Sequence, residues 1–132
     1  ILSGLYGCVR PFHAVEPYRL EMGAKLAVDD APDLYAFWSD KLARAIAPAG
    51  SNTTIVNLAS VEYAKAVLPH LAGDATAVTC LFGEGIRNGK PIQRSTASKK
   101  ARGSMVRWMA ENKLEDASGL TAFDAKPPTS SV

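Results

Sequence analysis

Two apolar, β-branched runs with a helical stretch between them constrain the fold of this chain more than any other feature. The runs cover residues 53–58 (TTIVNL) and 76–82 (TAVTCLF), and their composition is typical of strands buried on both faces. Ser60 can cap a helix over residues 61–71 that connects them. The pattern therefore predicts a strand–helix–strand unit in the middle of the chain.

The clearest helix precedes this unit, over residues 31–47. Apolar side chains recur there at helical spacing, Asp30 is suited to be the N-cap, and Pro32 fits the first turn. Pro48 ends the pattern. We therefore expect one continuous helix that presents an apolar face to the core.

A hairpin signal follows the second strand. Asn88-Gly89 favours a tight turn that leads into a partner strand over residues 91–95, and residues 97–113 form the last long helical pattern. Residues 120–123 are predicted to form a final short strand. The order of elements predicts an α+β fold, in which a mixed β-sheet flanked by helices belongs to a larger single-domain fold.

Length and composition exclude several classes of protein. The 132 residues suit one domain, and no apolar run is long enough for a membrane-spanning helix, so we expect no membrane partner. Two cysteines are too few for a disulfide scaffold, which favours a reducing cytoplasm. Cys80 lies in an apolar run and is predicted to be a small buried thiol.

The positive charge of the chain is concentrated in one segment. Residues 85–110 hold seven of the fifteen basic residues and no Asp or Glu, so the remainder has eight basic against thirteen acidic residues. One face of the last helix is predicted to contact DNA phosphates without reading bases. The residues on this face are Lys99, Lys100, Arg102, Gly103 and Arg107. A solvated basic face, or a glycine that admits a neighbouring helix, explains the same pattern.

Polar side chains also concentrate in two predicted loops, which suggests a pocket for an anion. The candidate residues are Arg10, Tyr18, Arg19, Glu21, Asn57, Ser60 and Glu62. A structural interpretation is equally open: Glu21 pairs with an arginine, Ser60 caps a helix and Asn57 satisfies loop backbone groups. The chain shows no recognisable catalytic motif, and its two histidines lack metal-ligand spacing, so we expect neither metal nor cofactor.

Five motifs in order are similar to one bacterial family, the peroxide stress proteins YaaA. They are SGLYG (residues 3–7), PYRLEMG (17–23), LYAFW (34–38), NLASVEY (57–63) and KKARG (99–103). The resemblance implies a cytoplasmic DNA-binding protein that helps cells survive hydrogen peroxide and limits damage from unincorporated iron. The alternative is an enzyme or binding protein for a phosphate-like or nucleotide-like anion in the arginine-containing pocket.

The resemblance also implies how the chain is organised. Members of the family have an N-terminal half before the SGLYG motif, with an opening strand and a helix-hairpin-helix-like element connected with DNA binding. We therefore expect residues 1–125 to be the C-terminal part of such a domain and residues 126–132 to be a flexible tail. Strand edges and apolar surface that the other half would cover predict a tendency to self-associate.

Overall fold

The computed structural model describes residues 1–83 and 85–124. The regular elements among these residues are helices and small two-stranded sheets, which confirms the predicted α+β class. Two compact units are present, Ile1–Ala77 and a second one that begins at Val78. The predicted tail over residues 126–132 lies outside the described residues.

The first unit begins with two very short strands. Strand β1 (Leu2–Ser3) pairs in antiparallel fashion with β2 (Gly7–Cys8), and Leu2 lies opposite Cys8. The following elements are α1 (Leu34–Trp38), α2 (Lys41–Ile46), β3 (Thr54–Asn57), α3 (Val61–Ala64) and a 3-10 turn (Leu68–His70). Strand β4 (Thr76–Thr79) shares a sheet with β3, and Thr76 donates its backbone N–H to the Thr53 carbonyl at 3.0 Å.

The second unit contains the predicted hairpin and the longest helix. Strands β5 (Ile86–Arg87) and β6 (Lys90–Pro91) are antiparallel, with Arg87 opposite Lys90. The partner strand predicted over residues 91–95 is wrong in its bounds, because β6 ends at Pro91 and α4 already begins at Ser95. The turn residues Asn88 and Gly89 have φ of 51° and 73°, the left-handed conformation that a two-residue hairpin requires. Helix α4 (Ser95–Glu111) confirms the predicted last helix and begins two residues earlier than expected.

The predicted helix over residues 31–47 is wrong in two respects. It is divided into α1 and α2 at Ser39, whose φ is 48°. Its N-cap is Asp33, whose carboxylate accepts the Ala36 backbone N–H at 2.8 Å, and not Asp30. The reason is a tight turn in which Val28 and Ala31 exchange both backbone hydrogen bonds, so the chain cannot enter a helix before residue 32.

Two other predicted elements differ from the structure. The helix expected over residues 61–71 ends early, because the Pro69 ring would clash with the carbonyl of Lys65, where α3 is capped. The strand expected over residues 120–123 is a 3-10 turn, Ala117–Ala122. Asp116 begins that turn by accepting the Ser118 backbone N–H at 2.8 Å.

The strand predictions for residues 53–58 and 76–82 are correct in type but wrong in burial, since only Asn57 is buried in β3. β4 ends at Thr79, and its residues are exposed except for the half-buried Val78. A sheet of two strands leaves most of such a strand open to solvent. Cys80 is half-buried, and this burial raises the pKa of its thiol, whereas Cys8 is exposed.

The core of the first unit surrounds Met22, which is fully buried. Its buried neighbours come from α1, from α2 and from the turn after α3: Leu34, Leu42, Ala43, Ala66 and Val67. Helices of five or six residues are unstable alone, so packing around Met22 holds α1 and α2 in place. This packing positions the loops that carry the candidate pocket.

Candidate functional site

The predicted DNA-contacting residues form a basic surface on α4, defined here as Lys99, Lys100, Arg102, Gly103 and Arg107. All are exposed except Arg102, which is half-buried. On the opposite side of the helix Met105 is buried and Trp108 half-buried, which fixes the orientation of α4 within the second unit. The 17-residue helix therefore carries its cations along one solvent-facing side.

Gly103 leaves the backbone open in the middle of this basic surface. No described atom lies within 4 Å of the position where a Cβ would stand. A neighbouring helix among the described residues therefore does not account for the glycine. The open position would let a flat or charged partner approach the helix backbone closely.

Arg107 differs from the other cations of the basic surface. Its Nε lies 2.7 Å from Oε1 of Glu111, one helical turn away, and this hydrogen bond raises the pKa of the guanidinium. Both side chains are largely exposed, so the pair contributes little to stability. A phosphate at Arg107 would compete with the Glu111 carboxylate.

A second polar site surrounds the Tyr63 hydroxyl in the first unit. Burial raises its pKa, a hydrogen bond from the Met22 backbone opposes the shift, and the charges of Glu62 and Glu21 add to it, as does nearby Tyr18. Tyr18, Glu21 and Glu62 are predicted pocket residues, and each lies near enough to Tyr63 to raise its pKa. Tyr63 at their centre was not among the predicted site residues.

Two glycines lie against neighbouring segments at this site, one against backbone and one against a side chain. A Cβ on Gly4 would stand 2.8 Å from the Leu20 carbonyl oxygen, so the SGLYG and PYRLEMG motifs touch backbone to backbone. A Cβ on Gly23 would stand 2.9 Å from the Glu62 carboxylate. Three of the five motifs therefore meet at this site, through a backbone contact at Gly4 and a contact at Gly23 from which the Glu62 side chain would have to shift.

Hydrogen bonds fix the other tyrosines of this site. The Tyr18 hydroxyl is hydrogen-bonded to the Ser3 hydroxyl, and its ring lies edge-on to Tyr6 with the centroids 5.6 Å apart. Tyr35 donates its hydroxyl proton to the Glu62 carbonyl at 2.8 Å. We call the resulting group the tyrosine–carboxylate cluster: Ser3, Tyr18, Glu21, Tyr35, Glu62 and Tyr63. Ser3 and Tyr35 were not among the predicted site residues either.

The remaining predicted pocket residues have other positions. Asn57 is buried and accepts the Ala59 backbone N–H at 3.1 Å, which is the structural role considered for it. Ser60 precedes α3 but its side chain makes no capping hydrogen bond. Arg10 and Arg19 are exposed, and within the described residues no ion pair joins either to Glu21. The cluster is thus rich in carboxylates and phenols rather than cations.

Arg10 begins a turn that exposes an aromatic ring. The His13 backbone N–H donates to the Arg10 carbonyl at 3.1 Å, with Pro11 at the position of the turn where its fixed φ fits. Phe12 follows and is completely exposed. The turn is anchored further along, where the Glu16 backbone N–H donates to the Tyr6 hydroxyl at 3.0 Å.

Two features typical of metalloproteins and membrane proteins are missing from the part of the chain that is described. There, no group of three or more His, Cys, Asp or Glu side chains is placed to hold a metal ion. None of the helices in the same residues is both long enough and apolar enough to cross a membrane.

The fold and these two polar regions define an α+β protein with a basic helix face and a tyrosine–carboxylate cluster, and comparison with known proteins identifies its family. The family model for the peroxide stress protein YaaA matches residues 1–127. The chain therefore belongs to the peroxide stress protein YaaA family. This membership confirms the resemblance carried by the five motifs.

Curated relatives agree with this membership. A UPF0246 protein of Lactiplantibacillus plantarum is 46% identical over 124 residues, which cover 94% of this chain and 49% of the relative. A UPF0246 protein of Pediococcus pentosaceus is 48% identical, covering 94% and 48%. One of Ruegeria is 47% identical over 126 residues, covering 93% and 50%. The chain spans about half the length of these relatives.

Proposed function

We propose that this chain acts in the cytoplasmic response to hydrogen peroxide by binding DNA through the basic surface of α4. The observation that carries the proposal is the exposed row of cations around Gly103, in a segment of 26 residues without a single acid. Membership in a family of peroxide stress proteins supports the physiological part. Binding of this kind would shield DNA from oxidants generated by unincorporated iron.

Phosphate contacts explain why this surface suits DNA without base recognition. Lysine and arginine side chains displace condensed counterions from the duplex, and each neutralised phosphate adds to the salt dependence of binding. Lys99 and Lys100 are exposed donors, and the open backbone at Gly103 lets a phosphate strand approach between them and Arg107. Such contacts give affinity with little sequence preference.

The test measures duplex affinity of the full chain against salt concentration. A Lys99/Lys100/Arg102→Ala variant should bind more weakly, and its log–log salt slope should fall by about one unit for each phosphate that the variant no longer neutralises. The matched control is Lys25/Lys41/Arg44→Ala, which removes three exposed cations from the first unit. An equal decrease of affinity in both variants, or an unchanged slope in the α4 variant, would contradict the proposal.

The protective role has its own test. Plasmid DNA is exposed to Fe(II) and hydrogen peroxide, and strand breaks are counted with and without protein. The unaltered chain and the control variant should reduce breakage, whereas the α4 variant should not. If the α4 variant protected DNA as well as the unaltered chain, protection would not depend on DNA binding by this helix.

A second candidate function is binding of a phosphate-like or nucleotide-like anion near Arg10 and Arg19. It is favoured by their exposure and by the lack of an ion pair between either arginine and Glu21 in the described part of the chain. Titration of inorganic phosphate and of a nucleoside monophosphate by calorimetry tests it. Binding should be abolished in Arg10→Ala and Arg19→Ala, and unchanged binding in both variants would exclude this site.

A further inference from the structure

The second unit contains a cavity of about 580 Å³ that neither the family nor the proposed function accounts for. Its walls come from the chain after β4, the first three turns of α4 and the 3-10 turn near the end of the described chain. Pockets that hold small organic molecules range from about 300 to 1,000 Å³. The cavity therefore has the size of a ligand site rather than of a packing fault.

Small side chains on α4 leave this space open. Ala97 and Ala101 lie one helical turn apart and both face the cavity, where larger residues would fill it. The buried side chains of Met105 and Leu120 line it as well. Apolar groups thus form most of the surface that an occupant would touch.

Aromatic rings hold one wall in place. Phe123 lines the cavity together with Phe82, and the two rings lie edge to face with centroids 6.3 Å apart. Trp108 packs edge-on against Phe123 at 5.5 Å. Rings already arranged edge to face offer a further ring a favourable stacking partner.

The charge of the cavity lining indicates the charge of its ligand. Arg94 is the one charged side chain among the described residues that line the cavity. In a cleft with apolar walls a guanidinium charge acts more strongly on an anion than in open water, whatever other contacts Arg94 makes. We propose that this cavity binds a small planar aromatic molecule that carries one negative charge, such as an aromatic carboxylate.

The cavity can be probed through its own cysteine. Cys80 lines it, and exposed Cys8 serves as a reference thiol in the same chain. The full chain is alkylated at alkaline pH with and without 1-naphthoate, and both thiols are followed by mass spectrometry. At a concentration about ten times Kd, alkylation of Cys80 should slow about tenfold, because a filled cavity excludes the reagent. The rate at Cys8 should not change.

A matched pair of substitutions on α4 tests the location. Ala101→Phe should fill the cavity and abolish protection by 1-naphthoate, whereas Ala110→Phe, at an exposed position of the same helix, should preserve it. If circular dichroism shows that Ala101→Phe does not fold, Ala97→Leu provides the same test with a smaller side chain. Protection that survives in the filled variant overturns the proposal.

A neutral analogue tests the charge. 1-Naphthalenemethanol has the same rings, and without the anion it should bind about tenfold more weakly, a difference of about 1.4 kcal/mol. Equal protection by both compounds overturns the anionic class of ligand. Lack of protection by 1-naphthoate overturns the ligand site altogether. A Cys80 that resists alkylation without ligand also overturns it, since another part of the protein would then occupy the space.

Discussion

The two compact units of this chain bury their interiors to very different degrees. The first unit closes around Met22, which is fully buried among side chains from α1, α2 and the turn after α3. The second unit buries Met105 and Leu120 beside a cavity of about 580 Å³. Short helices need a complete core to persist, whereas the 17-residue α4 can keep an incompletely covered apolar side.

The largest test of this contrast removes the central methionine of each unit. Met22→Ala should lower the free energy of unfolding by about 2 to 5 kcal/mol, because a closed core cannot collapse onto the space. Met105→Ala should cost less, because one side of Met105 already faces the cavity. Urea denaturation followed at Trp38 and at Trp108 reports on each unit. Equal decreases would contradict the difference between the cores.

A close backbone contact provides the next test. A methyl group at Gly4 would stand 2.8 Å from the Leu20 carbonyl oxygen, which cannot move like a side chain. Gly4→Ala should therefore destabilise the first unit by about 1 to 3 kcal/mol. The control is Gly73→Ala, where no described atom lies within 4 Å of the new methyl group. A neutral Gly4 variant would mean that the two motifs separate easily.

Helix capping gives a smaller effect in the same unit. Asp33→Ala removes the hydrogen bond to the Ala36 backbone N–H and should cost about 1 kcal/mol. Asp30→Ala, at the cap that the sequence favoured, should change the midpoint of thermal unfolding very little. A larger loss of stability in Asp30→Ala than in Asp33→Ala would mean that the helix begins at residue 31, as the sequence predicts.

These aspartates show what local sequence can and cannot predict about the fold. The β3 strand, the Asn88-Gly89 hairpin and α4 follow from short-range signals, and the structure confirms them. Asp30 and Asp33 are equally good caps by residue type, and only the turn between Val28 and Ala31 decides between them. The break at Ser39 has no glycine or proline to signal it.

The candidate site was predictable to a similar extent. Tyr18, Glu21 and Glu62 stand out because polar side chains cluster in their motifs. Their meeting around Tyr63 depends on contacts between distant segments at Gly4 and Gly23, which no periodic pattern encodes. In the sequence, the glycines of these motifs are the one sign of this contact. The structure shows that each of them packs against another motif.

Gly103 in the second unit differs from Gly4 and Gly23 in the first, because no described segment packs against it. Gly103→Ala should stabilise α4 by about 1 kcal/mol, because alanine favours a helix and nothing described lies within 4 Å. The same methyl group should weaken duplex binding if phosphates approach the backbone there. Ser104→Ala, at the neighbouring exposed position, is the control. Unchanged affinity in both variants would remove Gly103 from the DNA contact.

The stability of the two units should depend differently on alkaline pH, because different groups titrate in each. This is the smallest of the predicted effects. Burial and the charge of Glu62 raise the pKa of Tyr35 and of Tyr63 above 10.0, and burial raises that of Cys80 above 9.0. Each folded group holds its proton more tightly than in the unfolded chain. The associated stability is therefore complete below the ordinary pKa and is lost as pH rises through the folded value.

A substitution should therefore change the pH dependence of unfolding only in the unit that contains it. Tyr63→Phe should flatten the decline of stability above about pH 10 in the Trp38 signal, since all four tyrosines belong to the first unit. Cys80→Ser should flatten the decline seen at Trp108, beginning at lower pH because a thiol titrates before a phenol. If each substitution altered both signals equally, the two units would unfold together and the contrast between their cores would not extend to their stability.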